Sequence, residues 1–417
     1  MENETTKVDI AIAGAGMVGA TVANLFARCG FSVALIEAHQ PKEFVPEADV
    51  GLRVSAISPG SAAVLEQAGA WAEIENQRSC AYRRMHVEEQ SNVGGEPEGL
   101  DFEAPVFGME RLGTIVENQL IQTVLWKIAV DSPVIQIFCP AKLKDIEHQD
   151  HAVRLALSSG ETIEACILIG ADGAVSAVRR KAGIKQDIWD YNQKAVVSVV
   201  RKTEDNPGTA WQRFLPDGPL AFLPLSDGRS SIVWTLPCRE AERMLSLDED
   251  GFRAELNSAS EGWLGETIEC GPRAAFPLLM RLSDRYLADR LILLGDAAHV
   301  VHPLAGQGVN LGLADAAALV ETLLESRKAG RDIADQKSLR KFELWRKSES
   351  EIMAAGIHGL RALFMPAGLS NARRAGLKLV SKSWALKEIF LQRAAGQGRN
   401  APRISKGDSL QSLMQSS

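Results

Sequence analysis

The sequence contains few cysteines, and their spacing matches neither a disulfide framework nor a metal site. The six cysteines among 417 residues include no Cys-X-X-Cys pair. We therefore expect free thiols in a reducing compartment and no bound metal. No apolar run reaches the roughly 18 residues that span a bilayer, and the acidic, polar start is unlike a signal peptide. Together these features predict a cytoplasmic protein.

The chain also lacks a positive charge balance. Its formal net charge is −7, with 46% hydrophobic and 24% charged residues, a composition typical of soluble globular proteins. The negative balance argues against nucleic acid as the main partner. Because a chain of this length exceeds one compact core, we expect two or three domains.

The N-terminal part carries a dinucleotide-binding pattern. A short apolar strand, Val8–Ala13, leads into a Gly-X-Gly-X-X-Gly motif, a helix and a second strand that ends at Glu37. Gly14 allows the tight turn, Gly16 lets backbone N–H groups approach a pyrophosphate, and Gly19 allows close packing of helix on strand. Glu37 is placed to accept hydrogen bonds from an adenosine ribose. The alternative is a glycine-rich turn that binds nothing.

A second ligand-binding pattern occurs late in the chain. The apolar strand Leu291–Leu294 is followed by Asp296, a loop at His302–Gly308 rich in proline and glycine, and a helix from about Val309. The loop backbone can approach a flat ligand closely, and the helix directs its free N–H groups towards that ligand. This pattern predicts a large, partly anionic cofactor. An ordinary strand, turn and helix is the alternative.

Two further charged residues are candidates for contact with a cofactor. Asp172 follows the strand Thr162–Ile169 and precedes a helix that carries Arg179. A plain helix N-cap has the same sequence pattern, so both interpretations stay open. Arg53, in the otherwise neutral stretch Gly51–Pro59, is either a surface charge or a cation that faces the cofactor.

From about Ala182 to Arg285 the sequence changes to alternating, aromatic-rich strands separated by turns. This pattern predicts an antiparallel sheet, inserted before the chain returns to the first domain at Leu291. Its candidate pocket residues either wall an apolar substrate site or fill the core of the sheet, and the core is the commoner position for each: Trp211, Phe222, Pro224, Trp234 and Phe276.

The C-terminal segment 371–417 is strongly basic. It holds nine Lys or Arg residues against two acids, and apolar side chains are interleaved with them. Such a basic amphipathic segment lies on an anionic membrane surface or docks on a partner. A solvated helix packed on the protein body is the alternative.

Taken together, these motifs resemble the FAD-dependent aromatic hydroxylases, the para-hydroxybenzoate hydroxylase-like flavoprotein monooxygenases. The three matching cofactor motifs are Gly14–Gly19, Gly170–Gly173 with Arg179, and Gly295–Gly312. Three stretches are similar to the ubiquinone-biosynthesis hydroxylases: Arg53–Ile57, Val116–Asn118 and His302–Gly312. Two more resemble the branch that hydroxylates demethoxyubiquinol: Tyr82–Arg84 and Trp211–Pro224.

With the residue patterns, the resemblance implies an α/β fold. A Rossmann-like FAD-binding domain of the GR2 flavoprotein type is expected from residues 1–80, 105–182 and 286–330. An inserted antiparallel β-sheet substrate domain is expected from residues 81–104 and 183–285. Residues 331–417 are expected to form a helical C-terminal region that ends in the basic amphipathic segment.

The resemblance also implies roles for individual residues. Asp296 would bind the ribityl chain of FAD, and Arg53 and Asp172 would lie along the cofactor. The other expected cofactor contacts in the late loop and helix are Pro303, Gly306, Gln307, Gly308, Val309 and Asn310, with the backbone of 307–310 facing the isoalloxazine edge. Many family members have Arg or Gln where this chain has Asn118, which puts a charged pyrophosphate contact there in doubt.

The activity implied is hydroxylation of the aromatic ring of a polyprenylated phenol or quinol through a flavin C4a-hydroperoxide, with O2 as co-substrate. NAD(P)H or a partner reductase would supply electrons. A multi-enzyme ubiquinone-biosynthesis complex and peripheral contact with the inner face of the membrane are further expectations. His299 and His302 either relay a proton or are structural, so the catalytic base is unassigned.

Three other functions are compatible with parts of the pattern. A flavin monooxygenase for another small aromatic substrate would share the cofactor motifs. A flavin-dependent halogenase is disfavoured because its Trp-X-Trp-X-Ile-Pro signature is missing from the sequence. A non-catalytic flavoprotein scaffold in a biosynthetic complex differs from an enzyme by showing no substrate-stimulated oxidation of NAD(P)H.

Overall fold

The computed structural model describes residues 5–89, 99–301, 307–364 and 383–415. The first ten strands within these residues are β1 (Thr5–Ala13), β2 (Val33–Ile36), β3 (Val54–Ile57), β4 (Ser79–Tyr82), β5 (Arg84–Glu89), β6 (Gly99–Glu103), β7 (Gly113–Glu117), β8 (Ile135–Phe138), β9 (Leu143–His148) and β10 (Val153–Leu157). The strands that follow are β11 (Thr162–Gly170), β12 (Gln186–Lys202), β13 (Thr209–Leu215), β14 (Gly218–Pro224), β15 (Ser230–Pro237), β16 (Thr267–Cys270), β17 (Ala274–Ser283), β18 (Leu287–Ala288), β19 (Leu291–Leu293) and β20 (His299–Val300).

The helices of the same residues are α1 (Met17–Arg28), α2 (Pro59–Gln67), α3 (Trp71–Glu75), α4 (Asn118–Asp131), α5 (Ala177–Lys181), α6 (Cys238–Ser246), α7 (Glu249–Ser260), α8 (Gln307–Lys328), α9 (Gln336–Phe364), α10 (Trp384–Ala394) and α11 (Leu410–Gln415). Short 3-10 helices occur at Ala104–Phe107, Gly295–Ala297 and Ile404–Lys406.

The first sheet has a parallel centre. Its strands follow the order β18-β19-β11-β1-β2-β8, with β10 paired to β11 and β9 to β10. The five strands from β19 to β8 are parallel to one another. Both faces of this centre are covered, which explains the continuous apolar runs in its strands. Ile10, Ala11 and Ile12, for example, are all fully buried. On one face α1 packs against α4 and α8.

The second sheet is mostly antiparallel. Its order in the described part of the chain is β20-β17-β12-β15-β14-β13-β5-β6, with β16 beside β12. The helices α6 and α7 cover one face with an apolar cluster. A smaller antiparallel sheet has the order β3-β7-β4; β3 and β4 precede β5 in the chain, and β7 follows β6. The predicted fold class, a Rossmann-like α/β domain with an antiparallel sheet and a helical C-terminus, is confirmed.

The chain crosses between the two large sheets just after Asp296. β19 is part of the first sheet, whereas β20, only a few residues later, pairs with β17 of the second sheet. β20 therefore belongs to the second sheet, although its residues fall within 286–330, a range that the sequence led us to expect in the FAD-binding domain. This crossing brings the strand end that carries Asp296 next to the second sheet.

The C-terminal segment returns to the protein body. Ala395 accepts a hydrogen bond from the Gly60 N–H at 2.8 Å, and Ile404, Leu410 and Leu413 belong to the core beside α8. This part of the segment therefore packs on the protein body, as in the alternative given with the sequence. Four of its cations lie outside the described residues: Arg373, Arg374, Lys378 and Lys382. Among the described helices, none has the length and hydropathy to span a bilayer.

Candidate cofactor site and active site

Three sequence motifs meet at one edge of the first sheet. The strands β1, β11 and β19 are adjacent and parallel, so Gly14, Asp172 and Asp296 all follow their carboxyl ends. The Ala171 N–H donates to the Ala13 carbonyl at 2.8 Å, which joins the first two turns. Ligands of open α/β sheets bind at this kind of edge.

The glycine turn after β1 combines tight packing with one open position. Gly14 has φ of +102°, and a Cβ there would clash with the carbonyl of Ala171. A Cβ at Gly19 would clash with the carbonyl of Gly14. A Cβ at Gly16 would have no heavy atom within 4 Å. Gly16 also begins α1 without a side-chain cap, so free N–H groups face open space as a pyrophosphate requires.

Glu37 supports the same turn. Its Oε2 accepts a hydrogen bond from the Ala15 N–H at 2.6 Å, and its Oε1 accepts one from the His39 N–H at 3.1 Å. An ionised carboxylate has about four acceptor positions. Glu37 therefore stiffens the glycine turn and still has lone pairs for ribose hydroxyls.

Asp172 binds the first turn of α5 through one of its carboxylate oxygens. Its Oδ2 accepts hydrogen bonds from the Ala177 N–H at 2.6 Å and the Val178 N–H at 3.1 Å, the first two N–H groups of α5, whose N-cap residue is Ser176. Its Oδ1 is buried and has no hydrogen-bond partner among the residues that the structure describes. Buried acceptors are normally paired. The carboxylate thus binds the start of a helix with one oxygen, while the other has no partner among the described residues; contact with a cofactor stays a prediction.

Asp296 lies on the 3-10 helix Gly295–Ala297, directly after β19. Solvent reaches its side chain, yet burial by the surrounding protein raises the pKa of this carboxyl above its ordinary value, while His299 and Arg53 act to lower it. His299 itself is buried and contacts Asp315. His302 lies outside the described residues.

The N-termini of α1 and α8 meet beside these turns. A Cβ at Gly312 would lie 2.6 Å from Val18 Cγ2, and Gly295 packs on the same valine. A Cβ at Gly308 would have no heavy atom within 4 Å. Small residues thus bring two positive helix ends to one place and leave open space there. Such an arrangement favours a ligand with anionic groups.

The side chain of Asn310 ties the start of α8 to residues 56–58. Its Oδ1 accepts a hydrogen bond from the Ser58 N–H at 3.0 Å, and its Nδ2 donates to the Ala56 carbonyl at 2.8 Å. Val309 precedes it in the first turn of α8. Gln307 begins this helix, while Pro303 and Gly306 lie outside the described residues.

The five aromatic and proline candidates of the second sheet do not share one face. Trp211 pairs with Phe222 and Leu220 with Trp234, and all four pack under α6 and α7. Pro224 is two residues after Phe222 and has the same direction. Trp211, Phe222 and Trp234 thus lie in the core under α6 and α7, and Pro224 is buried as well. The sequence did not reveal which face of the sheet these helices cover.

Phe276 is different because it lies on the other face of the sheet. It pairs with Ala195, whereas the neighbouring Ala275 pairs with Val196, which belongs to the core under α6 and α7. The Phe276 side chain is 39% exposed, and the Arg53 guanidinium carbon lies 5.4 Å from its ring centroid. Phe276 is thus the candidate that connects the substrate sheet with the cofactor edge.

A family comparison decides which cofactor this edge serves. The model of the FAD binding domain family matches residues 7–342. The chain belongs to this family.

Relatives within the family resemble the chain over nearly its whole length. It is 36% identical to the 3-demethoxyubiquinol 3-hydroxylase of Escherichia coli K12 over 403 residues, which cover 95% of this chain and 100% of that protein. It is 33% identical to the ubiquinone hydroxylase UbiL of Rhodospirillum rubrum, covering 96% and 92% of the two chains. The human mitochondrial ubiquinone biosynthesis monooxygenase COQ6 is 32% identical, with 93% and 92% covered. The resemblance stated from the motifs is confirmed.

Solved structures support the fold. p-Nitrophenol 4-monooxygenase PnpA of Pseudomonas putida has a TM-score of 0.76 at 20% identity, covering 95% of this chain and 100% of that chain. Klebsiella pneumoniae HpxO, solved with FAD and uric acid, has a TM-score of 0.70 at 19% identity, covering 94% and 97%. At these identities the likeness concerns the architecture alone.

The residues at the strand edge fit FAD. The open space at Gly16 and Gly308 accommodates a close approach of cofactor to backbone. The unpaired Oδ1 of Asp172 and the remaining acceptor positions of Glu37 suit hydroxyl donors. Two helix N-termini suit the pyrophosphate and an electron-rich ring.

One contact of the glycine turn was not evident from the sequence. The Gln122 Nε2 donates to the Ala15 carbonyl at 3.2 Å. Gln122 lies one turn after Asn118 on α4, so the spacing of four residues was the available signal. Asn118 instead accepts a hydrogen bond from the Ser55 hydroxyl at 2.6 Å, and its N–H donates to the Arg53 carbonyl at 3.0 Å. Asn118 therefore anchors the strand that follows Arg53, and Gln122 reaches the turn.

Proposed function

We propose that the chain is an FAD-dependent monooxygenase that hydroxylates the aromatic ring of a polyprenylated phenol or quinol in ubiquinone biosynthesis. The observation that carries this proposal is the similarity, over 95% of the chain, to a 3-demethoxyubiquinol 3-hydroxylase. The convergent cofactor edge supports it, because each element suits one part of FAD. A non-catalytic scaffold or an enzyme for another small aromatic receives no such support.

FAD, when bound, supplies the oxygen-activating chemistry of this reaction. The residues of the chain bind and orient it. The glycine turn and Glu37 hold the adenosine end, and Asp296 holds the ribityl chain. The N–H groups of Gly308 to Asn310 stabilise negative charge on the flavin ring. Phe276 with Arg53 bounds the substrate side and helps to exclude water.

NAD(P)H is the proposed electron donor, and O2 is the proposed co-substrate. The sequence contains one strand-bound Gly-X-Gly-X-X-Gly motif, at Gly14–Gly19, and FAD would occupy it. A nicotinamide nucleotide would then bind only transiently, without a second Rossmann unit of its own.

The activity is tested with purified, FAD-loaded protein and a short-chain demethoxyubiquinol analogue. We expect analogue-stimulated NAD(P)H oxidation and a hydroxylated product that carries one oxygen atom from ¹⁸O2. The matched control is the Asp296→Asn variant reloaded with excess FAD. If only simple phenols stimulate oxidation, the substrate class is wrong. If no aromatic compound does so, the chain is a scaffold.

Peripheral membrane contact is the second part of the proposal. Residues 383–415 contact the body at Ala395, Ile404, Leu410 and Leu413. We assign the contact with anionic lipid to the four cations that precede them, Arg373, Arg374, Lys378 and Lys382. No acidic residue occurs between 371 and 387. Each Lys or Arg near an anionic bilayer contributes about 1 kcal/mol.

The membrane test compares two variants of equal charge change. Replacing Arg373, Arg374, Lys378 and Lys382 by Gln should abolish co-sedimentation with phosphatidylserine vesicles. Replacing four exposed cations just before and within the first turns of α9 by Gln should leave it unchanged: Arg331, Lys337, Arg340 and Lys341. Equal binding of both variants would reject this contact. A catalytic complex with other enzymes would show as vesicle-independent co-purification of those enzymes.

A further inference from the structure

A buried charged cluster lies directly beside the turn that carries Asp296. Asp315 on α8, His299 on β20 and Arg346 on α9 form it, and their exposed fractions are 1%, 2% and 2%. The proposed function assigns no task to these three side chains. Because charged groups are costly to bury, Asp315 and Arg346 together in the core call for an explanation.

One carboxylate holds the cluster together. Asp315 Oδ2 lies 2.6 Å from His299 Nε2, and the same oxygen accepts a hydrogen bond from the Gly295 N–H at 3.2 Å. Asp315 Oδ1 accepts a hydrogen bond from Arg346 Nε at 2.7 Å. Burial acts to raise the pKa of Asp315, but His299 and Arg346 outweigh it and hold the pKa below its ordinary value. The group is thus a carboxylate at neutral pH.

The contacts of Asp315 bracket Asp296 in the sequence. Gly295 immediately precedes Asp296 and has φ of +55°, which glycine adopts readily but does not favour over its other conformations, so the hydrogen bond from its N–H to Asp315 restricts this position. His299 follows three residues later, on the strand that pairs with β17 of the substrate sheet. Fixing both ends of this short turn fixes the direction of the side chain between them.

We propose that Asp315 is a positioning residue for FAD: through Gly295 and His299 it sets the turn that directs Asp296 at the ribityl chain. The proposal rests on the proposed placement of the ribityl chain at Asp296. Asp315 also ties this turn to α8 and α9, so the flavin-side helix and the substrate sheet share one anchor. His299 thereby acts as part of the anchor, enclosed by protein.

Stability alone does not account for the cluster, because buried ion pairs are often no more stabilising than apolar residues of similar volume. The second sheet provides a matched comparison. Glu88 there lies 2.6 Å from Arg213 Nη2 and 3.0 Å from His86 Nε2. Its set of acid, histidine and arginine is the same, but β5 is far along the sheet from β20. Removing either carboxylate charge should lower the melting temperature.

The experiment compares Asp315→Asn, Glu88→Gln and Asp296→Asn as full-length holoenzymes. For Asp315→Asn we expect a roughly 10- to 100-fold weaker FAD affinity, the cost of disrupting one or two charge-assisted hydrogen bonds. We also expect a changed flavin absorbance spectrum and midpoint potential, readouts that a loss of stability alone does not move. Glu88→Gln should lower the melting temperature and leave affinity, spectrum and potential unchanged.

The outcomes separate the two proposals. If Asp296→Asn weakens FAD binding but Asp315→Asn behaves like Glu88→Gln, the positioning role is overturned and the ribityl placement stands. If Asp296→Asn binds FAD as the parent does, the placement itself fails, and the positioning role fails with it. Should Asp315→Asn not fold, His299→Gln keeps the pair of Asp315 and Arg346. Unchanged affinity and spectrum in that variant would also overturn the role.

Discussion

The guanidinium of Arg53 lies over the ring of Phe276, with its central carbon 5.4 Å from the ring centroid. Arg53 immediately precedes β3, next to the cofactor edge, whereas Phe276 belongs to the substrate sheet. Arg53 also acts to lower the pKa of Asp296. A single cation thus connects the substrate side with the proposed ribityl ligand, which gives its replacement a specific effect.

Replacing Arg53 by Met should make FAD affinity more sensitive to acid. Burial already raises the pKa of Asp296, and removal of the cation raises that pKa further. An ionised carboxylate is the stronger acceptor for hydroxyl groups, so affinity falls as the pH drops through this pKa. In Arg53→Met the fall should begin at a higher pH than in the parent.

The check is the FAD dissociation constant measured across the acidic and neutral range. Arg53→Lys keeps the charge and should retain most of the parent pH profile. Asp296→Asn should show no dependence on pH in this window. An unchanged profile for Arg53→Met would show that Asp296 is not the group that titrates.

Two glycines of the same turn should respond differently to alanine. Gly16 has φ of −67°, which alanine adopts readily, and the added Cβ would meet no protein atom. Gly16→Ala should therefore retain or slightly gain stability, by about 0.5 kcal/mol, and lose FAD affinity because its Cβ occupies the approach of the pyrophosphate.

Gly14→Ala should unfold more easily, since its φ of +102° and the carbonyl of Ala171 both oppose a side chain. Melting curves with and without FAD distinguish these effects, and normal FAD binding by Gly16→Ala would contradict the pyrophosphate placement.

The contrast between these glycines and the aromatic residues shows which features the sequence predicts. The turn at Gly14 and the strand ends at Asp172 and Asp296 depend on local patterns, and parallel pairing then brings them to one edge. The direction of Trp211 depends on strand register and on which face α6 and α7 cover. These are long-range relationships that alternation within a strand does not encode.

The same limit applies to polar contacts. Gln122 reaches Ala15 across 107 positions of sequence, and Asp315 reaches Gly295 across 20. Each of these partners is also a common surface residue, so its type gave no signal. Asn118 departs from the usual residue of the family, and only the structure identifies its partner, Ser55.

The buried amine of Lys202 should lower the free energy of unfolding at neutral pH. It is buried beneath α7, where its amine donates to the Ser260 hydroxyl at 3.0 Å, and burial lowers its pKa from 10.5 to about 8. Between these two pH values the unfolded state binds more protons, so the stability contributed here rises with pH and is lowest below about 8.

Lys202→Met should raise the free energy of unfolding by about 2 kcal/mol at pH 7, with the gain shrinking towards pH 10.5. Chemical denaturation across this range measures it, with Lys194→Met, on the same strand but reaching Glu242 at 2.9 Å, as the control. A gain independent of pH would point to packing as its cause.

Glu321 should make docking of the C-terminal segment depend on pH. Its Oε1 accepts the Ile404 N–H at 3.0 Å, and burial raises the pKa of this carboxyl from 4.5 to about 7. The docked state therefore binds more protons between these values, so docking is strongest below about pH 4.5 and weakens as the pH rises to about 7.

Glu321→Gln removes this dependence because it keeps the Oε1 acceptor and carries no charge. Hydrogen exchange at the Ile404 amide should be slower in Glu321→Gln than in the parent at pH 8, by an opening free energy of about 2 kcal/mol. At pH 5 the two proteins should be close, since the parent carboxyl is then mostly protonated. Exchange rates corrected for the intrinsic pH effect test this, and Glu325→Gln, one turn further along α8, serves as the control. The exchange rates of parent and variant could instead differ equally at both pH values. The carboxyl charge would then not control docking of the segment, and the apolar contacts of Leu410 and Leu413 would hold it in place.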